Sequence, residues 1–559
     1  MKRYNLILLT IASLIFASCN DFLGRRLDTN YSQKQVFESY SRMRDFGLGV
    51  YAYLPGGFNR IDGSMLSSAT DDAVDAWTES NLQRLNNGSW GPYNNPDDQW
   101  AHYYDGIRKA NMFLEQTQNY KDILYAEISD TTNSDRKNTF DYNKSDIGWM
   151  RAEVRVLRAM FYFELQKRYG GVPLVTKTLT LDDDLNIPRN SYDEVTNFIV
   201  SECDAAVNQL RDSWKGFDND KYTGRVTKGA ALTIKAKTLQ YAASPLNNTN
   251  NDQTKWQDAA EAANDVIALN QYALHGDYSS LFHTYNSDEI ILERRYGANN
   301  AFERANFPIG FEGSRGGTNP SQSLVDAYET INGLPIDQDS QYDPQNPYDN
   351  RDPRLQQTII VNNSNFKGRN VEIWNGGLDA DKPRATRTGY YLKKYLDENI
   401  DLVQNKTSVH TWIIFRYGGI LLDYAEAMNE AYGPDDAAGY SMTAREALNM
   451  IRQRAGMPDV SANTKAEFRA RLRNERRVEM AFEEQRFWDV RRWKIGDETL
   501  AQPIRGVGVT KNADDSFTYK YNVPEVEQRV FSDKMYRYPI PRIEINKSAG
   551  ALGQNPGWN

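Results

Sequence analysis

From residue 36 onward the chain reads as one mainly α-helical repeat scaffold with long loops and little strand. Three observations predict this. Capping boxes recur at Ser191…Glu194, Thr443…Glu446 and Thr464…Glu467, each setting an N-cap hydroxyl against a carboxylate three residues on. Apolar and small residues then repeat at helical spacings of three and four. Only two short apolar runs, Glu289–Glu293 and Trp412–Phe415, read as strands.

The elements follow in chain order. Lys2 and Arg3 precede an eleven-residue apolar run, Leu6 to Phe16. That run is too short for ~30 Å of hydrocarbon, which takes about 20 residues, so residues 1–18 read as a cleaved secretory signal. Leu14-Ile-Phe-Ala-Ser-Cys19 resembles a bacterial lipobox with Phe16 in place of the usual Leu. On that resemblance Cys19 becomes the lipidated first residue, residues 19–35 a polar tether, and residues 36–559 the folded domain. Its N-terminal part spans about 36–270 and its C-terminal part about 271–559.

Arg151, Arg155 and Arg158 share one helical stripe opposite Val154, Leu157 and Phe161, and Gly170-Gly171 followed by Pro173 predicts where that helix stops. Cys203 falls in register with Val195, Ile199, Ala206 and Leu210 and reads as a buried thiol; with Cys19 lipidated it has no disulfide partner. Ala230, Ala231, Ala236, Ala242 and Ala243 line one helix, and Trp256, Ala259, Ala260 and Ala263 line the next. Asn319 as N-cap, Pro320 at N1 and Gln322 at N3 predict another helix start. Ala425 and Ala427, then Ala444 and Ala447, continue the pattern, which resembles degenerate tetratricopeptide repeats. Arg471 and Glu475 form a potential i,i+4 pair, and Trp488 and Trp493 read as packing anchors. Residues 297–320 and 333–390, rich in Gly, Asn, Asp and Pro, read as long loops, where function commonly sits.

Composition narrows the chemistry. The 559 residues carry 66 Lys and Arg against 75 Asp and Glu, a net charge of −9, which argues against a nucleic-acid groove. Two Cys and four His rule out a cysteine-rich zinc site or a disulfide scaffold. His102, His275, His283 and His410 are scattered, Gly313-Ser-Arg-Gly-Gly317 lacks the Lys and Ser/Thr of a phosphate loop, and Asp182-Asp-Asp184 lacks the spacing of a calcium hand. No catalytic residue, metal ligand or cofactor is therefore expected. The surplus lies in aromatics, with 34 Tyr, 22 Phe and 11 Trp.

Six segments carry a resemblance: Cys19-Asn-Asp-Phe-Leu23; Arg151 to Phe163 leading into Arg168-Tyr-Gly-Gly-Val-Pro-Leu174; Asn319-Pro-Ser-Gln322; Arg351-Asp-Pro-Arg-Leu355; Arg486-Phe-Trp-Asp-Val-Arg-Arg-Trp493; and Gln554-Asn-Pro-Gly-Trp558. In this order they resemble the SusD/RagB family of nutrient-binding outer-membrane lipoproteins over essentially the whole chain. The resemblance implies a tetratricopeptide-like scaffold with a loop-rich binding face. It also implies a non-enzymatic, lipid-anchored protein on the outer side of the outer membrane, which captures oligosaccharides for a SusC-like TonB-dependent transporter barrel. Peptide binding, known among relatives, is the alternative, and a surface glycosidase a more distant one, because two suitably placed carboxylates leave no sequence motif.

A sugar offers an apolar face to aromatic rings and a rim of hydroxyls to Asp, Asn and Arg. Residues 71–100 supply both kinds of group in a stretch without helical periodicity. Trp100, with Tyr103, Tyr104 and Ile107, is the exception and reads as core. By position in the family, the expected ligand contacts are Asp72, Trp77, Asn81, Arg84, Trp90 and Tyr93, with Tyr296 and Arg315 from the segment after the Glu293 strand.

Overall fold

A computed structural model describes residues 31–128 and 131–558; the segment expected to be a signal, and the expected lipidation site Cys19, lie outside them. Among the described residues, nine of the helices organise the fold: α1 (Trp100–Gln116), α2 (Ser134–Tyr169), α3 (Tyr192–Val207), α4 (Lys228–Ala243), α5 (Gln253–Ala268), α6 (Tyr417–Tyr432), α7 (Ala444–Arg454), α8 (Lys465–Glu479) and α9 (Gln485–Arg492). Each of α1 to α6 packs on the next, and α8 also packs on α6. The scaffold is thus a helical, tetratricopeptide-like stack continued across the long insertion between α5 and α6.

Local chemistry explains the boundaries. Asn133 caps α2 by accepting hydrogen bonds from the Asp135 and Arg136 N–H groups. The helix ends at Gly170, whose φ of +77° suits a residue without Cβ and whose N–H donates to the Gln166 carbonyl. All three expected capping boxes form with both reciprocal bonds, at α3, α7 and α8. The expected alanines of α4 and α5 are buried in the seam, where a lone methyl lets neighbouring backbones approach. Cys203 is buried too, and burial pushes its thiol pKa far up, so it stays protonated and inert. Arg158 spans three helices, donating to Glu202 of α3 at 2.9 Å and to Asn111 of α1 at 2.7 Å.

The expected helix start at Asn319 moves. Six strands bear on it and on the site: β1 (Ala73–Asp75), β2 (Ile290–Asn299), β3 (Thr318–Pro320), β4 (Ser408–Arg416), β5 (Ile504–Lys511) and β6 (Phe517–Glu527). Asn319 belongs to β3, opposite Val74, and its side chain is spent on the Gly316 carbonyl and the Arg387 N–H. Ser321 caps the short helix Gln322–Ala327 instead, accepting from the Leu324 N–H. The two expected strand runs pair as β2 and β4, antiparallel, with Glu293 opposite Ile413 and Tyr296 opposite His410. The β5–β6 hairpin was not among the expected strands.

The core has two parts. One lies among the helices. The other lies beneath the loops and is aromatic, built on Phe302, Tyr328, Tyr390, Tyr391, Tyr395 and Trp412. A buried ionic cluster joins them. Arg416, at the end of β4 and only 1% exposed, donates to Glu289 and Glu479 at 2.7 Å each and to both oxygens of Glu483 at 2.8 Å. Arg354 reaches Asp352, Glu475 and Glu479 at 2.6–2.8 Å, and Arg454 also binds Glu479. Lys394 donates to Glu483, to the Tyr278 hydroxyl and to the Ala481 carbonyl. The expected Arg471–Glu475 pair within α8 does not form: Arg471 turns to Glu329 at 2.8 Å, while Glu475 takes Arg354 and Arg452. Stronger buried partners outcompete a pair worth only about 0.2–0.5 kcal/mol on a helix surface.

Replacing Arg416 with Met should cost about 3–5 kcal/mol, because it leaves buried carboxylates uncompensated. Urea denaturation checks this, and a loss under about 1 kcal/mol would count against the cluster as the fold's clamp. Glu479 is held well below its ordinary pKa by Arg454, Arg416 and Arg354 despite its burial. Its contribution is therefore present above the ordinary glutamate pKa and lost as acid approaches the folded value.

Candidate ligand-binding site

Strand pairing brings two of the expected segments together. β1 lies antiparallel to β3, with Ala73 opposite Pro320 and Asp75 opposite Thr318. Beyond the last pair, the Ala76 N–H donates to the Gly317 carbonyl at 2.9 Å. The loop carrying Trp77 thus runs beside the glycine-rich turn carrying Arg315. Gly316 has φ +75° and its backbone lies against the Arg384 carbonyl, leaving no room for a Cβ.

That contact introduces a third segment, residues 380–388. Arg387 anchors it by donating to the Asp75 and Val526 carbonyls at 3.1 and 2.8 Å and pairing with Glu527 at 2.7 Å. Arg384 sits at φ +66°, a conformation costly for a residue with a Cβ and tolerated where surrounding structure imposes it. Its guanidinium lies 5.1 Å from the centre of the Trp77 ring. The first and third of these segments enclose an open depression of about 470 Å³, lined by Trp77, Thr78, Glu79, Lys382, Arg384 and Arg387.

Trp77 is half-exposed here. Its N–H donates to Asp75 Oδ1 at 2.9 Å, a turn that fixes where the indole leaves the backbone. Asp75 is 3% exposed and its Oδ2 has no partner; burial pushes its pKa up to about 6. The arrangement offers a ring face with charged and polar groups around it, suited to holding a ligand.

The other expected contacts divide. Arg315 is exposed next to the depression. Asn81 and Arg84 are exposed further along, Arg84 in the short helix Gln83–Asn87 and donating to Asn81 at 3.4 Å, but they do not line the depression. Asp72 is corrected to a core residue: it is fully buried and accepts from Arg477 at 2.7 Å, while its neighbour Asp71 holds Arg486 at both oxygens. Trp90 is corrected likewise. It is 4% exposed, with its ring 4.7 Å from Trp558 and 5.2 Å from Tyr538, so no ligand reaches its face. Tyr93 is 81% exposed but stands against Arg542 near the C-terminal end, apart from the depression. Tyr296 is half-buried between Phe58 and Arg294. Trp100 is core as expected.

Glu79, Lys382 and Arg384 were not foreseen. Lys382 and Arg384 lie in an aperiodic loop, and only tertiary structure sets them beside Trp77. Two other cavities fit less well. One of about 190 Å³ is walled by Trp214, an indole only 2% exposed; another, of about 610 Å³, sets the buried Trp100 and the half-buried Tyr104 among the aliphatic Leu179, Leu185 and Ile187.

A family model described as the SusD family matches residues 288–558, and a second, described as starch-binding and associating with the outer membrane, matches residues 21–239. The chain belongs to the SusD family. A solved SusD-like protein from Bacteroides fragilis NCTC 9343 is 28% identical, with a TM-score of 0.77 over 95% of this chain and 99% of that one. A second structure from the same strain, named a SusD-like carbohydrate-binding protein, is 25% identical, with a TM-score of 0.73 over 92% of this chain and 99% of its own. A curated SusD-like protein of Formosa agariphila is 26% identical over 73% of this chain and 74% of its length. The helical scaffold described above is therefore the SusD fold.

The raised pKa of Asp75 gives a pH signature. Unfolded, this carboxyl releases its proton near its ordinary 3.8; folded, it holds it to about 6. Stability from this group therefore falls as pH rises between those values, by about 3 kcal/mol in all. Asp75→Asn should melt above the parent at pH 7 and lose that advantage by pH 4; a pH-independent difference in Tm would refute the assignment.

Proposed function

We propose that this SusD-family chain is a cell-surface glycan-binding lipoprotein that captures oligosaccharides and delivers them to a SusC-like TonB-dependent transporter barrel. The observation that carries the reading is Trp77, a half-exposed indole fixed by Asp75 in a loop-built depression with cations and a carboxylate around it. A pyranose lays its C–H face on such a ring, and its hydroxyls take hydrogen bonds from the rim. Arg315, and Asn81 and Arg84 further along the chain, serve an oligosaccharide long enough to overrun the depression. The carbohydrate-binding name of one solved relative and the starch-binding, outer-membrane description of the matching family model support the same reading.

Binding leaves the glycan intact. Capture needs only a ring face and oriented donors, whereas hydrolysis needs an acid and a nucleophile or base at fixed separation across the bond. Anchoring falls to Cys19. Each buried methylene of an attached lipid adds ~0.8 kcal/mol, so several chains hold the protein at the membrane effectively permanently.

Trp77→Ala should weaken binding of the protein's oligosaccharide about tenfold or more in isothermal titration. Trp90→Ala should instead lower stability by about 3–5 kcal/mol, with affinity per folded molecule preserved. Equal affinity in the Trp77 variant, or binding of peptides alone across a mixed panel, would overturn the glycan reading. Cys19→Ala should move the protein from the membrane fraction to the soluble fraction of its native host; a variant still membrane-bound would show that something else anchors it.

A further inference from the structure

We infer that the depression beside Trp77 is built for an acidic saccharide, one bearing carboxylate or sulfate groups, rather than a neutral one. This rests on the glycan reading above and adds the ligand's charge to it. Its lining holds three cations, Lys382, Arg384 and Arg387, against one acid, Glu79, in a chain whose net charge is −9. Arg387 is already neutralised by Glu527 and spent on holding the loop. Lys382 and Arg384 are different. Both are exposed, and neither they nor Arg315 on the adjoining turn forms an ion pair with a carboxylate among the described residues.

Many arginines of the fold are taken up by buried carboxylates, as Arg416, Arg476 and Arg492 are, and others by backbone carbonyls, as Arg351 is. The 380–388 loop instead holds Arg384 in left-handed backbone, with its guanidinium at the face of the one accessible indole of the site. A guanidinium there has two free edges for a bidentate anion, while the ring beside it takes the sugar's C–H face. Carboxylate and sulfate share this chemistry. Lys382, a point charge without fork geometry, adds attraction for either.

The test is isothermal titration of the intact mature protein with three probes: oligogalacturonate for carboxylate, κ-carrageenan oligosaccharides for sulfate, and maltoheptaose as the neutral control. At least one acidic probe should bind, about tenfold or more tighter than maltoheptaose, and weaken as NaCl rises from about 50 to about 500 mM. The Lys382→Gln/Arg384→Gln double variant should lose about tenfold or more for that probe, while Lys137→Gln, an exposed lysine of α2, should not. All three positions are exposed, and circular dichroism confirms folding before titration. Tighter binding of maltoheptaose that needs Trp77 but not Arg384 would overturn the charge assignment and leave the glycan reading standing. Acidic binding lost equally in the Lys137 variant would overturn it as diffuse attraction. Binding of none of the saccharides, with peptides bound instead, would overturn both.

Discussion

Arg416 sits where the two halves of the molecule meet, and most of the architecture passes through the carboxylates it holds. Glu289 leads into β2, Arg416 itself closes β4 and opens α6, and Glu479 ends α8, so one guanidinium ties the strand pair to the helical stack. Glu483 follows within a turn in which Phe482 and Glu484 both take positive φ, at +62° and +59°. Such a turn costs of order 1–3 kcal/mol for each strained residue and persists only where its surroundings over-determine it. Here Arg416 and Lys394 fasten Glu483 from both sides. Moving so many charges out of water is expensive, and a hydrophobic plug of equal shape could be as stable. The arrangement supplies directionality: each carboxylate has one set of donors, and the loop-bearing half has one way to seat on the stack.

What was legible from the chain alone was local. Capping boxes, the Gly170 stop and the alanine seams need only neighbours in sequence, and all appear where short-range chemistry puts them. Asn319 and Arg471 show where such reasoning ends. Asn319 has good helix-start chemistry, but β1, some 240 residues away, claims its backbone. Arg471 has a glutamate four residues on, but Glu329 and Arg354 divert both partners. The β5–β6 hairpin carried a faint sign in the alternation of buried Val507 and Val509, diluted by Gly506 and Gly508 and by the charges of Arg505 and Lys511 on either side.

The site divides on the same line. Trp77 and Trp90 stand in one aperiodic stretch and look alike in sequence. Their fates are set from opposite directions: Asp75, two residues back, turns Trp77 outward, whereas Tyr538 and Trp558, from the far end of the chain, enclose Trp90. Asp72 resembles a rim residue until Arg477 arrives from α8. Arg384 lay in a loop segment marked as functional but was not itself singled out, because its meaning comes from a backbone conformation and a neighbour that only the folded loops create.

The enclosure of Trp90 has a consequence for how the chain is made. Trp558 donates its ring N–H to the Lys534 and Arg537 carbonyls, and Asn555 donates to the Tyr169 and Tyr538 carbonyls, so residues 534–558 form the outer wall of a cavity opened by residues 90–169. During synthesis that flank stays unlidded until residue 558 has emerged, and contacts between such distant stretches form slowly. The packing around Trp90 is therefore completed late, when residues 534–558 close over a surface made some 400 residues earlier.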